Sequence, residues 1–332
     1  MSADSPYPAA HAAADTPSLR ARLGRALREW FDNARNSAAR TAEARKEGVD
    51  FWRAIPFALL HVACLGVFLV GVSPIAIAVC VGAFVLRMFA ITAFYHRYFS
   101  HRTFKTSRVA QFAFAVLGAS AVQRGPIWWA AHHRNHHAHS DREQDAHSPS
   151  QHGFWRAHMG WFMRYEGFAP DLRRVRDLTR YPELRWLDRF DVVVPALFAL
   201  LVFGLGALLE SAAPQLGTNC WQLLVWGFFV STVACSHVTY LINSLAHVVG
   251  RQRYVTHDDS RNNWLLALLT LGEGWHNNHH YCPGSARQGF YWWEIDISYY
   301  VLRGMSWLGL IWDLKTVPIA VRDSTARRVA KR

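Results

Sequence analysis

The stretch HRNHH at residues 133–137 returns as HNNHH at 276–280, so His133, His136 and His137 match His276, His279 and His280 in spacing. Residues at i, i+3 and i+4 share one helical face, which predicts that the three imidazoles of each motif point at one spot. In NSLAH, Asn243 and His247 stand at i and i+4 and predict the same. His96 and His101, in HRYFSH, are five apart, about 140° round an ideal helix. That pair either straddles a helix end or serves two different ions. Imidazole is the commonest metal ligand in proteins. Nine patterned histidines exceed the roughly four to six donors that one ion takes, and two ions are the natural reading.

Imidazole-rich sites suit Zn, Cu, Fe or Ni. A closed structural zinc site needs only about four ligands, often with Cys, and no Cys falls within these motifs. Two ions beside apolar segments look instead like a centre for oxygen chemistry on a lipid, and iron is the metal for that chemistry. Zinc binds at least as tightly by intrinsic order, so a recombinant preparation could carry zinc as an artefact. A lone histidine is more often a surface or interface residue, the reading given to His11, His61, His237 and His257. His132, His139, His147, His152 and His158 crowd the second motif and are candidate outer donors to the ligands.

The elements that must position these groups are long and apolar. A helix needs about 20 apolar residues to cross a bilayer core, and four segments qualify: 54–73, 74–95, 192–209 and 220–242. They pair into two hairpins, the first with almost no loop. The stretch VAQFAFAVLGASAV (109–122) is too short to span and reads as a re-entrant or protein-packed helix. The links GVSP (71–74) and ESAAPQLGTN (210–219) carry no Lys or Arg, whereas the N-terminal segment, residues 173–190 and the C-terminal tail are rich in both. By the positive-inside rule, both termini and the histidine motifs face the cytosol. The expected fold is an all-α membrane protein whose cytosolic helical cap carries a dimetal site. Arg87 lies inside the second span, about 13 Å along the helix from His96, where it faces the bundle interior or snorkels.

Just over half of the 332 residues are hydrophobic, with 15 Trp and 20 Phe, and 18% are charged. A soluble domain carries about a quarter. With this apolar content the net charge of +12 points to an anionic membrane face rather than nucleic acid. Residues 1–50 have no apolar signal core. There Leu19, Leu23, Leu27 and Trp30/Phe31 recur at helical spacing among Arg20, Arg22, Arg25 and Arg28, as in a basic amphipathic helix on a membrane surface, with a solvated tail the alternative. The membrane domain covers 51–316 and a basic tail 317–332. Five scattered cysteines offer neither a disulfide framework nor a CxxC site.

These motifs together resemble the membrane fatty-acid desaturases, specifically the stearoyl-CoA Δ9-desaturase branch. HRYFSH, HRNHH and GEGWHNNHH match its three histidine boxes, and NSLAH its segment for a further ligand. GFWRAHMGW (153–161) and LGLIWDLK (308–315) are similar too, so the resemblance covers residues 52–316. It implies that His96, His101, His133, His136, His137, His247, His276, His279 and His280 ligate two ferrous ions, with Asn243 acting through a water. It implies a bent acyl tunnel with Gln123, Trp129 and Thr239 at the bend, its length set by residues of the first hairpin. It also implies O₂ as co-substrate and a cis double bond, at Δ9, in a saturated acyl chain. Two departures concern the head group. Ala131-His132 stands where users of acyl-CoA have Arg-Asp, and RYE (164–166) replaces a basic pair. The carrier therefore stays open among CoA, acyl-carrier protein and phospholipid.

With no haem extension, iron–sulfur cysteines or dinucleotide fingerprint in the sequence, two electrons are expected from an external ferredoxin, cytochrome or reductase docking on the basic face. Rival readings are a membrane hydroxylase or ketolase on the same centre, a histidine-rich metal transporter, and a structural membrane protein with incidental histidines. The Ala/Arg-rich tail leans to a bacterial inner membrane, with the endoplasmic reticulum as the alternative.

Overall fold

Four helices in the computed structural model, which describes residues 18–33 and 48–324, are long and apolar enough to cross a membrane: Phe51–Val70, Pro74–Ser100, Val193–Ala212 and Cys220–His247. Each of three spans opens on a capping side chain that accepts a bond from the first turn. Asp50 takes the N–H of Arg53 at 3.2 Å, Ser73 that of Ala76 at 3.1 Å, and Asn219 that of Gln222 at 2.9 Å. Pro74 at the first helical position costs no hydrogen bond, because that N–H has no intrahelical acceptor.

The two hairpin links meet at one end of the bundle. Gln222 receives the Ser73 hydroxyl proton at 2.6 Å and donates to Val70 O at 3.0 Å, while Trp226 Nε1 donates to Gly71 O at 2.8 Å. Spans three and four touch through glycine. A Cβ on Gly206 would stand 2.5 Å from Cys220 Cα, so the backbones pack directly. The outward faces, including Leu59, Val62, Phe68, Leu69, Leu200 and Leu201, are apolar and exposed, as lipid requires.

At the other end the second and fourth spans run on beyond the expected 74–95 and 220–242. The second ends in a π-helical stretch, Ala90–Ser100, every residue of which is buried. The fourth contains a π-helical stretch at Leu224–Val230 and closes on a 3₁₀ turn, Leu245–His247. Arg97 anchors the first extension to the cap through Asp296 at 2.9 Å, Glu273 at 3.0 Å and Ala286 O at 2.7 Å. Three ionic or carbonyl partners are what a fully buried guanidinium requires. Arg108–Ala119, the short apolar helix of the sequence reading, packs against protein, with Phe114 stacked on Phe94 at 3.9 Å. Helices Pro126–His139 and His276–Tyr281 carry the two histidine motifs across this end. A two-residue antiparallel pairing of Lys105–Thr106 with Ile311–Trp312 ties the cap's end to its beginning.

Arg87 faces the interior. It is fully buried and donates to Thr232 Oγ1 at 2.6 Å, Ala83 O at 3.1 Å and Ser120 O at 3.4 Å, as well as to Ser231 Oγ.

Candidate metal centre

Nine imidazoles from four elements gather into two neighbouring clusters. His96, His101, His133, His137 and His279 form one, and His136, His247, His276 and His280 the other, with the candidate ligand atoms of each within 4.8 Å of one another. The rings of His137 and His280 stack across the boundary at 4.5 Å.

The expectation that each HxxHH aims all three rings at one spot is corrected. His133 and His137 enter the first cluster while His136 enters the second; His276 and His280 enter the second while His279 enters the first. Residues at i and i+4 lie about 40° apart on a helix, but i+3 and i+4 lie about 100° apart. One helix therefore serves two sites, and the two helices exchange one ligand each. Of the two alternatives for the pair five residues apart, the structure bears out the helix end: His96 lies inside Ala90–Ser100 and His101 caps it. His101 N donates to His96 O at 3.2 Å, an i→i+5 bond, and this wider turn brings both rings into the same cluster. Two different ions are thus not served by that pair.

Inside the clusters Nε2 meets Nε2: His101 and His133 at 2.8 Å, His279 and His137 at 2.9 Å, His96 and His279 at 3.1 Å, His247 and His276 at 3.0 Å, His136 and His280 at 3.4 Å. Two donors about 2.1 Å from one ion and at right angles to each other stand about 3.0 Å apart. The opposite ring nitrogens explain why these contacts want a cation. Nδ1 of His136 donates to Asp145 at 2.8 Å, that of His247 to Asp141 at 2.8 Å, that of His280 to Asp258 at 2.7 Å, and that of His96 to Glu273. An ionised carboxylate only accepts, so Nδ1 carries the proton and Nε2 presents a bare lone pair. Between His136 and His280 both outer nitrogens are bonded to carboxylates, so two bare lone pairs face each other at 3.4 Å across a buried gap, and a divalent ion between them would remove the repulsion.

Charge follows the same logic. Burial, then crowding by other imidazoles, holds His101, His133, His137, His276 and His279 well below the ordinary histidine value, and burial brings His280 to about 4 despite Asp258. His136 is also penalised by burial, yet Asp145 outweighs it and raises the pKa. Asp141 is kept down at about 2 by His247 and the Asp259 N–H, against its own burial. The four carboxylates were not assigned roles from the sequence. Glu273 sits in the quoted GEGWHNNHH, and Asp141 and Asp145 follow HRNHH within eight residues, which is the available signal; Asp258 reaches His280 from a loop 22 residues away.

A cavity of about 230 Å³ runs to the centre and is lined there by Gln123, Trp129, His133, Thr239 and Asn243. A smaller space of about 40 Å³ continues past Trp129, Thr239 and Asn243 to Met88, Ile91 and Thr92 of the second span. At the junction Gln123 Nε2 donates to Thr239 Oγ1 at 3.1 Å, and the Trp129 ring lies 5.0 Å from that of His133. Asn243 lines both spaces.

Of the remaining histidines, His147 joins Asp145 at 3.2 Å, and His132 packs between Trp128 and Trp161. The His139 ring bonds the carbonyl of Asn135 at 3.1 Å. His61 and His237, expected as surface or interface residues, are bonded to each other at 2.9 Å. His237 meets His158 at 2.9 Å, and His158 meets Ser244 Oγ at 3.0 Å. Four separate polar groups from the first span, the fourth span and the cap thus satisfy one another, which their scattered positions do not reveal. His257 is exposed, and His11 lies outside the described residues.

Comparison with known proteins supplies the remaining evidence. The family model described as fatty acid desaturase matches residues 73–305. An acyl-CoA 5-desaturase of Anemone leveillei is 37% identical over 270 residues, 80% of this chain and 79% of the relative. Delta-9 acyl-lipid desaturase 1 of Arabidopsis thaliana is 38% identical over 243 residues, 72% and 74% of the two chains. An sn-2 palmitoyl-lipid 9-desaturase of a Nostoc species is 38% identical over 221 residues, 65% and 73%.

Proposed function

Because the chain belongs to the fatty acid desaturase family and is therefore an oxidoreductase acting on acyl chains, we propose that it is an O₂-dependent Δ9-desaturase working at a histidine-held diiron centre. The observation that carries this reading is the pair of buried imidazole clusters, nine rings in all, with carboxylates on the outer nitrogens of His96, His136, His247 and His280. Such donor sets fit two divalent ions of the iron type. His96, His101, His133, His137 and His279 would hold one, and His136, His247, His276 and His280 the other, with Asn243 acting on the second through a water. Two ferrous ions bound there supply the activation of O₂.

The rest falls to the polypeptide. A saturated chain offers no polar handle, so position alone selects the methylene pair. The cavity admits the chain past Trp128, and the wall closed by the Gln123–Thr239 bond turns it beneath Trp129 and the His133 ring. The far segment enters the space beside Met88 and Ile91, which sets how much chain lies beyond the bend. A fixed kink at the reacting carbons favours cis geometry. Two electrons arrive from a separate carrier, a ferredoxin, cytochrome or reductase, docking on the basic cytosolic face. The Lys/Arg-poor hairpin links and the Lys/Arg-rich cap support a reading in which both termini and the centre face that side of a bacterial inner membrane.

Fatty-acid methyl esters from a host expressing the protein decide the matter. A new cis-9 monounsaturate that vanishes with His136→Ala supports the reading. A hydroxylated chain without alkene would assign the centre to oxygen insertion instead.

A further inference from the structure

The N-terminal helix Leu19–Phe31 lies outside the family match at 73–305, yet it forms part of the wall of the large cavity. Glu29, Trp30 and Asn33 line the mouth beside Arg53 and Arg124. The helix is held there by bonds to the membrane domain. Trp30 Nε1 donates to Trp52 O at 3.0 Å, Asn33 Nδ2 to Asp188 O at 3.3 Å, and Asp32 pairs with Arg189 at 2.8 Å. Trp52 is the second residue of the first span, so this contact is made where that span enters the bilayer.

The neighbouring face of the same helix is left largely open by the described residues. Leu19, Leu23, Leu27 and Phe31 follow one another every fourth residue and are 67%, 41%, 43% and 58% exposed. Exposed Arg20 and Arg28 flank them. An apolar stripe beside cations, continuous with the start of a membrane span, fits an anionic bilayer surface.

Among the described residues of the mouth, each arginine has an acidic neighbour. Arg53 faces Glu29 at 3.6 Å, and Arg124 meets Asp191 at 3.5 Å and Asn33 Oδ1 at 3.2 Å. Both guanidiniums cover the Phe168 ring, at 3.9 and 4.7 Å. A carrier with several phosphates would need cations in excess of carboxylates; here each arginine has an acidic neighbour in place.

We propose that this helix is a membrane-seated jaw of the substrate mouth, and that the mouth takes an acyl chain esterified in a membrane glycerolipid, drawn from the cytosolic leaflet. This rests on the desaturase reading for its chemistry but not for its geometry. The apolar stripe sets the depth of the mouth at the lipid surface, so an ester-linked chain reaches the tunnel without leaving the bilayer. Among the described residues the paired charges suit a neutral or zwitterionic head, not a polyphosphate carrier.

Two measurements on the full-length protein in vesicles containing phosphatidylglycerol test it. A bimane label on Leu23→Cys, in iron-free protein, should be quenched by brominated phosphatidylcholine, most strongly with bromine near the ester end. No quenching at any bromine depth would overturn the membrane seat, whatever the activity. Iron-loaded, reduced protein is then offered equal amounts of stearoyl phosphatidylcholine and stearoyl-CoA carrying different isotopes. Desaturated product should form from the lipid at least about tenfold faster, and Leu19→Ser/Leu23→Ser/Leu27→Ser should cut that rate by about tenfold. The control Phe68→Ser/Leu69→Ser, at the opposite end of the first span, should stay within about twofold. Product from the CoA pool at an equal or greater rate would overturn the assignment of carrier. No product from either pool counts against the desaturase reading instead, and the quenching result then decides the jaw.

Discussion

His136 and His137 are adjacent in the chain and serve different clusters, as do His279 and His280. Replacing one member of such a pair should therefore empty one site and spare the other. Of the two iron atoms expected per chain, His137→Ala should lose one from the first cluster and His280→Ala one from the second, each variant keeping about one iron by elemental analysis. Loss of both from either variant would show that the clusters act as one site. The carboxylates behind the rings give a subtler outcome. Asp258→Asn can present its amide to His280, so the ring's proton and orientation are no longer fixed, while the volume is unchanged. Metal affinity of the second cluster should fall by about 10–100-fold with the fold intact, measured by competition with a chelator. An unchanged affinity would reduce Asp258 to a packing role. The nine imidazoles were legible because spacing is a sequence property. Their partition was not: it depends on where each helix axis runs between two sites. The carboxylates were hidden for a related reason, since Asp258 meets His280 only after a 22-residue excursion of the chain.

Helical winding decides whether the first box works at all. His96 and His101 meet in one cluster because Ala90–Ser100 is wound with i→i+5 bonds. Deleting one residue within that stretch, Ala93 for instance, should let it relax to the commoner i→i+4 winding and turn His96 by about 100° relative to His101. The expected outcome is loss of the first iron and of product, with helical content by circular dichroism nearly unchanged. Retention of both irons would mean that the cap, through Arg97, fixes these rings independently of the winding. Spans were legible from length and apolar content, the hairpins from their uncharged links, and the packed helix Arg108–Ala119 from its shortness. The π-helical turns left no comparable trace. AITAFYHRYFS has ordinary helix-compatible residues, and all eleven are buried in the fold.

A molecule that buries this many imidazoles must keep them uncharged, and that constrains the whole fold through pH. In His101, His133, His137, His276 and His279 the folded pKa lies well below the ordinary 6.5. An unfolded chain takes up protons at these positions as pH drops below 6.5, and the folded chain does not. Stability therefore decreases as pH falls, with a slope of about 1.4 kcal/mol per pH unit for each such histidine once pH is well below its ordinary value. His136 works in the opposite sense. Its raised pKa contributes stability that is fully present below the ordinary value and lost as pH rises through the folded one. His280 adds to these five in the same sense, and against the single raised group the acid side dominates. The thermal midpoint of iron-free protein in detergent should thus drop steeply between pH 7.5 and 5.5. A divalent ion at pH 7.5 should raise it, because the ion binds only the assembled clusters. A midpoint flat across that range would show that these rings are not held neutral by burial, and the buried neutral imidazoles that argue for two metal ions would lose their physical basis.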